Sequence, residues 1–134
     1  DVTKCGGISD EIKEWVYNLL PFHFEGSNIF SHAAYDLKRN PDDQDARVVL
    51  FYRWDKGQDY PFEGYHLTHG HTPFEMTPEQ TPRRTNLDLD TKRGENICIG
   101  VYEDGVLGPV KFVIINNDGS VRELDPMYKN GELA

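Results

Sequence analysis

The sequence predicts an α+β fold: an amphipathic helix near the N-terminus, then a series of short strands. Three observations carry this. Ile12, Trp15, Val16, Leu19 and Leu20 recur at helical spacing on one face. The second half holds β-branched, apolar runs at Asn96–Tyr102 and Val110–Ile115. Turn signals separate those runs, Glu103-Asp104-Gly105 and the strong hairpin signal Asn117-Asp118-Gly119. No internal repeat, low-complexity tract or linker interrupts the chain, so residues 1–134 read as a single domain. A helix followed by mostly antiparallel strands gives an α+β or sandwich arrangement.

Each element has a local reason. Ser9 is placed to cap the helix, and Asp10 and Glu11 complement the positive end of its dipole. Pro21 stops it. Phe22-His23-Phe24 reads as a strand, Glu25-Gly26-Ser27-Asn28 as a turn, and Ile29–Ala34 as a buried strand running into a loop. Lys38–Asp45 is charged, carries Pro41 and reads as a loop. Asp45–Trp54 starts in the manner of a helix and ends irregularly. Gly64–Thr68 reads as a short strand leading into the run His69-Gly70-His71-Thr72-Pro73. Thr85–Asp90 alternates Leu87 and Leu89 with polar neighbours, and Ser120–Leu124 is the return strand after the hairpin. The tail 125–134 is polar and is expected to be loose.

The chain has 14 Lys and Arg against 23 Asp and Glu, a formal net charge of -9, which argues against non-specific binding to nucleic acid or to an anionic membrane. Cys5 and Cys98 make no disulfide framework and no CxxC pair, so a reduced, cytoplasmic setting is expected. No apolar run approaches membrane length and no signal-peptide pattern occurs. A chain that begins at Asp1 rather than Met is expected to be a processed, cleaved or partial product.

The chemistry concentrates in five histidines, His23, His32, His66, His69 and His71. In an extended strand His69 and His71 would share a face, roughly 6–7 Å apart along the backbone. Neutral imidazole is the commonest metal ligand, so the pair is a candidate metal site, set against a solvent-exposed polar loop. Gly70 removes side-chain bulk between them. His32 ends a buried-looking strand and is followed by Ala33 and Ala34, which leave space beside the imidazole. His66, on the opposite strand face from His69, reads as structural, and His23 as a half-exposed strand residue.

Two motif families compete for the paired histidines. His69, His71 and Glu75 fit the metal motif of a cupin barrel, although no later histidine follows. A second family matches several pieces in order. Ile29-Phe30-Ser31-His32-Ala33-Ala34 resembles the F-V-H-A-G segment of calcineurin-like metallophosphoesterases, and Val49-Leu50-Phe51-Tyr52-Arg53 their hydrophobic-W-x-R segment. His69-Gly70-His71-Thr72-Pro73 is similar to V-H-G-H-T-P, and Arg84–Thr91 to R-I-N-I-D-T-G. Upstream, Gly6-Gly7 and the helix fit the stretch after the family's asparagine–histidine motif. The resemblance covers most of residues 5–104 and is narrowest to the phosphoprotein phosphatase branch, which includes bacterial and phage serine/threonine phosphatases and diadenosine tetraphosphatases.

This resemblance implies a metallophosphoesterase β-sandwich flanked by helices, and a site in which two divalent metal ions (manganese, iron or zinc) activate water toward a phosphoester. It makes His32 and His71 metal ligands. It puts His69 and Asp90 beside the site without touching the metal, and makes Arg53 a planar, bidentate clamp on phosphate oxygens. Two departures stand out. Lys92-Arg93-Gly94 follows Asp90-Thr91 where the family has Gly directly, and the motifs GDxHG, GDxxDRG and GNHE occur nowhere in the chain. The chain is therefore expected to be the C-terminal half of a phosphatase, completed by an N-terminal half or companion chain and inactive alone. The alternative is a non-catalytic binding or regulatory module.

Overall fold

The computed structural model describes residues 7–74, 76–93 and 96–134. Cys5, Gly6, Glu75 and Gly94, named above, lie outside the described residues. The fold is α+β, mostly sheet with few helices.

Helix α1 spans Asp10–Tyr17, with Ser9 as its N-cap accepting from the Ile12 amide at 3.3 Å. It ends at Asn18, ahead of Pro21, and none of its residues is buried. The apolar face that periodicity marks is thus uncovered: Ile12, Trp15 and Val16 are all exposed, as are Leu19 and Leu20 beyond the helix.

Five strands form the main sheet in the order β1-β2-β3-β5-β4. They are β1 (Phe22–Glu25), β2 (Asn28–Ser31), β3 (His66–His69), β4 (Glu79–Thr81) and β5 (Arg84–Asn86). β1 turns into β2 through Gly26, whose φ of 58° suits a tight hairpin. Strand pairing is mostly antiparallel, as expected, and β2–β3 and β3–β5 are the two parallel exceptions among the described residues. Residues 32–65 return the chain from β2 to β3 through α2 (Ala46–Phe51), capped by Asp45, whose carboxylate accepts from the Arg47 amide at 2.8 Å. This crossover lies on one sheet face and makes the core of Ile29, Ala34, Tyr35, Val49, Trp54, Tyr60 and Leu67.

A second, three-stranded antiparallel sheet follows: β6 (Ile97–Val101), β7 (Lys111–Ile115) and β8 (Val121–Leu124). Its pairing places Ile99 opposite Val113 and Ile115 opposite Val121. Phe112 and Ile114 are buried on one face, whereas Ile97, Ile99, Val101 and Val121 stay exposed on the other. Tyr102, just past β6, joins the sheets by hydrogen-bonding Thr68 at 2.7 Å and meeting Phe30 edge to face at 4.9 Å. Asn28 makes a second join, donating to the Val106 carbonyl and accepting from the Gly108 amide, each at 2.8 Å.

The expected loose tail is also corrected. β9 (Tyr128–Lys129) and β10 (Glu132–Leu133) form a hairpin around Asn130-Gly131, whose φ values of 52° and 82° are those of a primed turn. The Asn130 carboxamide holds this hairpin to the Leu107 amide at 2.9 Å. Among the described residues no helix is long and apolar enough to cross a membrane.

Candidate functional site

β3 is central, and all four of its residues are buried. Each polar side chain on it must therefore find a partner. Residues 66 and 68 face the second sheet, where His66 Nε2 lies 2.9 Å from Thr85 Oγ1 and Thr68 meets Tyr102. His66 packs against Gly108 with only 3 % of its surface exposed, and burial pushes its pKa down to about 4. Residues 67 and 69 face the crossover.

His69 is committed on both ring nitrogens. Its Nδ1 lies 2.8 Å from the Gly70 carbonyl, which only accepts, so Nδ1 carries the proton. Its Nε2 then accepts from Arg84 Nη1 at 3.0 Å. The ring stacks on Trp54 at 5.5 Å, and burial first, then the Arg84 charge, hold its pKa down at about 4 against the opposing Gly70 hydrogen bond. Arg84 itself is fully buried; it pairs with Glu79 at 3.0 and 3.1 Å, donates to the Gln58 carbonyl, and lies 5.3 Å over the Trp54 ring.

The expectation that His69 and His71 share a strand face is overturned. β3 ends at His69, and His71 sits in left-handed backbone with φ 63°. That conformation is costly for a residue with a Cβ, and it persists where the surroundings impose it. They do so here: Gly70 N–H donates to the His32 carbonyl at 3.0 Å, Trp54 N–H to Thr72 Oγ1 at 3.1 Å, and Asn86 Nδ2 to the Thr72 carbonyl at 2.6 Å. The His71 ring turns away from His69 and meets His32 instead. Nε2 of His32 and Nδ1 of His71 lie 3.2 Å apart, although the residues are 39 positions apart in sequence. His71 Nε2 lies 3.1 Å from the Phe51 carbonyl and so donates to it, which leaves the Nδ1 lone pair facing His32.

The His32–His71 pair opens onto a cleft of about 420 Å³ that Ser31, Leu87, Asp88 and Thr91 also line. Asp88 was not singled out in the sequence, where it differs from Asp90 only by one strand repeat; the structure puts Asp88 at the cleft. Asp90 points elsewhere: its carboxylate pairs with Arg93 at 3.2 Å and its backbone, at φ 59°, is left-handed. Arg53 is exposed and makes no hydrogen bond or ion pair among the described residues. Its neighbours fix its place, because the Phe51 carbonyl and the Trp54 amide hold His71 and Thr72. Asp59, one carboxylate within reach in sequence, is taken by Arg83 at 3.4 Å. A larger cavity of about 690 Å³ lies on the far side of Phe30 and contains no histidine.

No protein-family model, curated protein or solved structure matches this chain. Two imidazole nitrogens 3.2 Å apart are within the span of about 3.0–3.4 Å that two neighbouring ligands keep at metal–nitrogen distances of about 2.1 Å. The His71 Nε2–H to carbonyl bond is of the kind that orients a ligating histidine. Among the described residues no group of three His, Cys, Asp or Glu side chains converges to hold a metal. The pair thus fits part of a metal site. His69 does not join the pair as a cupin-type ligand, since its Nε2 lone pair is taken by Arg84; Glu75 lies outside the described residues.

Proposed function

We propose that this chain supplies the C-terminal half of a calcineurin-like metallophosphoesterase, of the phosphoprotein phosphatase branch, and hydrolyses phosphoesters when completed by an N-terminal half or companion chain. The observation that carries this reading is the 3.2 Å approach of His32 and His71, which stand in two separate segments that both resemble the family's ligand motifs. His32 and His71 would hold one of two divalent ions, manganese, iron or zinc, with carboxylates from the other half completing the set. When bound, such ions supply an activated water at neutral pH. His71 keeps its Nδ1 lone pair on the cleft by giving its Nε2 proton to Phe51. Arg53, exposed beside the His71–Thr72 turn, is free to set its planar fork on phosphate oxygens. The two sheets are read as part of the family's β-sandwich, in a cytoplasmic protein.

The uncovered apolar surfaces support the missing half. The apolar face of α1 and, on the second sheet, Ile97, Ile99, Val101 and Val121 are exposed, and exposed apolar faces of this kind suit an interface with a partner. Among the described residues β6 is also a sheet edge, paired with β7 alone.

The test is metal titration of the pure chain by calorimetry with Mn²⁺, Zn²⁺ and Co²⁺, alongside a phosphatase assay. Weak, single-site binding that His32→Ala and His71→Ala both abolish, with no turnover by the chain alone, is expected. Binding that survives both substitutions, or stoichiometric two-metal binding with turnover by the 134-residue chain, would overturn the reading.

A further inference from the structure

The geometry points to Arg84 as a positioning residue that aims His71 at His32, acting through His69 and the Gly70 carbonyl. It rests on the reading of His32 and His71 as the metal-holding pair.

An arginine with none of its surface exposed is costly to bury unless its charge is paired. Glu79 answers the charge. Nε donates to the Gln58 carbonyl, and Nη1, besides meeting Glu79, donates to His69 Nε2. That bond has a consequence for proton placement. A neutral imidazole has one N–H, and a donor at Nε2 forces the proton onto Nδ1. The Nδ1–H then has a single acceptor at 2.8 Å, the carbonyl of Gly70. Fixing this carbonyl fixes the peptide plane between Gly70 and His71, whose other side sets the left-handed φ of His71. The Gly70 amide, held by the His32 carbonyl at 3.0 Å, clamps the same residue from its N-terminal side. Trp54 closes the relay: its ring lies against both His69 and Arg84, and its backbone amide holds Thr72. Arg84, His69 and Trp54 thus grip the turn at Gly70 and Thr72 and leave His71 one orientation between them.

Lysine cannot replace this arrangement. An ammonium paired with Glu79 is a point donor without a fork, so it satisfies the charge and releases His69. Glu79→Gln does the opposite: it weakens the buried pair and keeps the Arg84–His69 bond.

The experiment is ¹⁵N NMR of the histidine ring nitrogens in the metal-free chain, with a Co²⁺ titration of the same samples. In the unaltered chain His69 shows protonated Nδ1 and bare Nε2, and His71 the reverse. Arg84→Lys is expected to average both patterns and to raise the Co²⁺ dissociation constant about tenfold or more, as losing a residue that orients a ligand does. Glu79→Gln is expected to lower stability and leave the His71 pattern in place. An unchanged His71 pattern in Arg84→Lys overturns the proposal. Should Arg84→Lys not fold, His69→Ala decides: it removes the relay, and an intact His71 pattern there overturns the proposal equally. If the unaltered chain binds no Co²⁺ at His32 and His71, the metal reading fails while the ring patterns still test the positioning.

Discussion

Gly108→Ala should be among the most damaging methyl additions in this chain, and Gly105→Ala supplies its control. Both glycines have left-handed backbone, with φ of 82° and 78°. A side chain in that region costs about 1–2 kcal/mol at either position. They differ in what the new methyl meets. At Gly105 nothing lies within 4 Å, whereas at Gly108 the methyl would stand 2.9 Å from both Cε1 and Nδ1 of His66. That ring cannot move aside easily, because it is buried and held to Thr85 at 2.9 Å. Gly108 cannot retreat either, because its amide donates to Asn28 on β2 at 2.8 Å. Overpacking of this kind adds about 1–3 kcal/mol. The expected cost is about 1–2 kcal/mol for Gly105→Ala and about 2–5 kcal/mol for Gly108→Ala, a loss of roughly 10 °C in Tm for the latter. Urea unfolding of both variants measures the difference directly, since the backbone contribution cancels. Equal destabilisation would refute the assignment of His66 as the wedge between the two sheets.

Further outcomes follow from the same contacts. Glu79→Ala strands the buried Arg84 guanidinium and should cost about 3–5 kcal/mol in denaturant unfolding, a loss that replacing Arg84 and Glu79 together by apolar residues should largely recover. Burial lowers His66 to a pKa of about 4 from an ordinary value near 6.5, so the unfolded chain binds the extra proton first. Its contribution to stability is present above pH 6.5 and is lost as pH falls toward 4, on the order of 3 kcal/mol; unfolding midpoints that stay flat between pH 7 and 4.5 would contradict this. In the completed enzyme Arg53→Ala should lower kcat by an amount worth a few kcal/mol in barrier while metal content stays constant; unchanged kinetics would make Arg53 an ordinary surface residue.

The sequence was informative where one residue dictates local geometry. Ser9 and Asp45 cap their helices as side-chain acceptors must, and Asn117-Asp118-Gly119 turns β7 into β8 with Gly119 at φ 85°. Asn130-Gly131 carries the same kind of signal, hidden in a polar tail whose composition masks two very short strands. Mostly antiparallel pairing was legible, but the parallel order of β2, β3 and β5 was not, because it depends on where the long crossover returns and not on alternation within a strand. His32 and His71 were singled out by motif, but strand periodicity grouped His71 with His69. The left-handed turn at His71 is imposed by Thr72, Trp54 and Asn86, which no local pattern connects. Arg84 illustrates the same limit: the motif match begins at it without giving it a role, and only the fold shows it fully buried between Glu79, His69 and Trp54.

His32 follows β2 directly, and His71 stands two residues past β3, at the same end of two neighbouring parallel strands. Their separation is therefore inherited from the spacing of hydrogen-bonded strands, about 4.8 Å, and not from the chain between them. The crossover, in its middle, meets His71 at the Phe51 carbonyl and holds the segment after His32 through Val49 and Tyr52. Its outer stretch around Arg39–Asp43, a surface turn, is architecturally idle with respect to the two imidazoles. Chain length there is free to vary, as a bridge deck can be extended without moving its piers, and the two nitrogens would keep their distance through any such insertion.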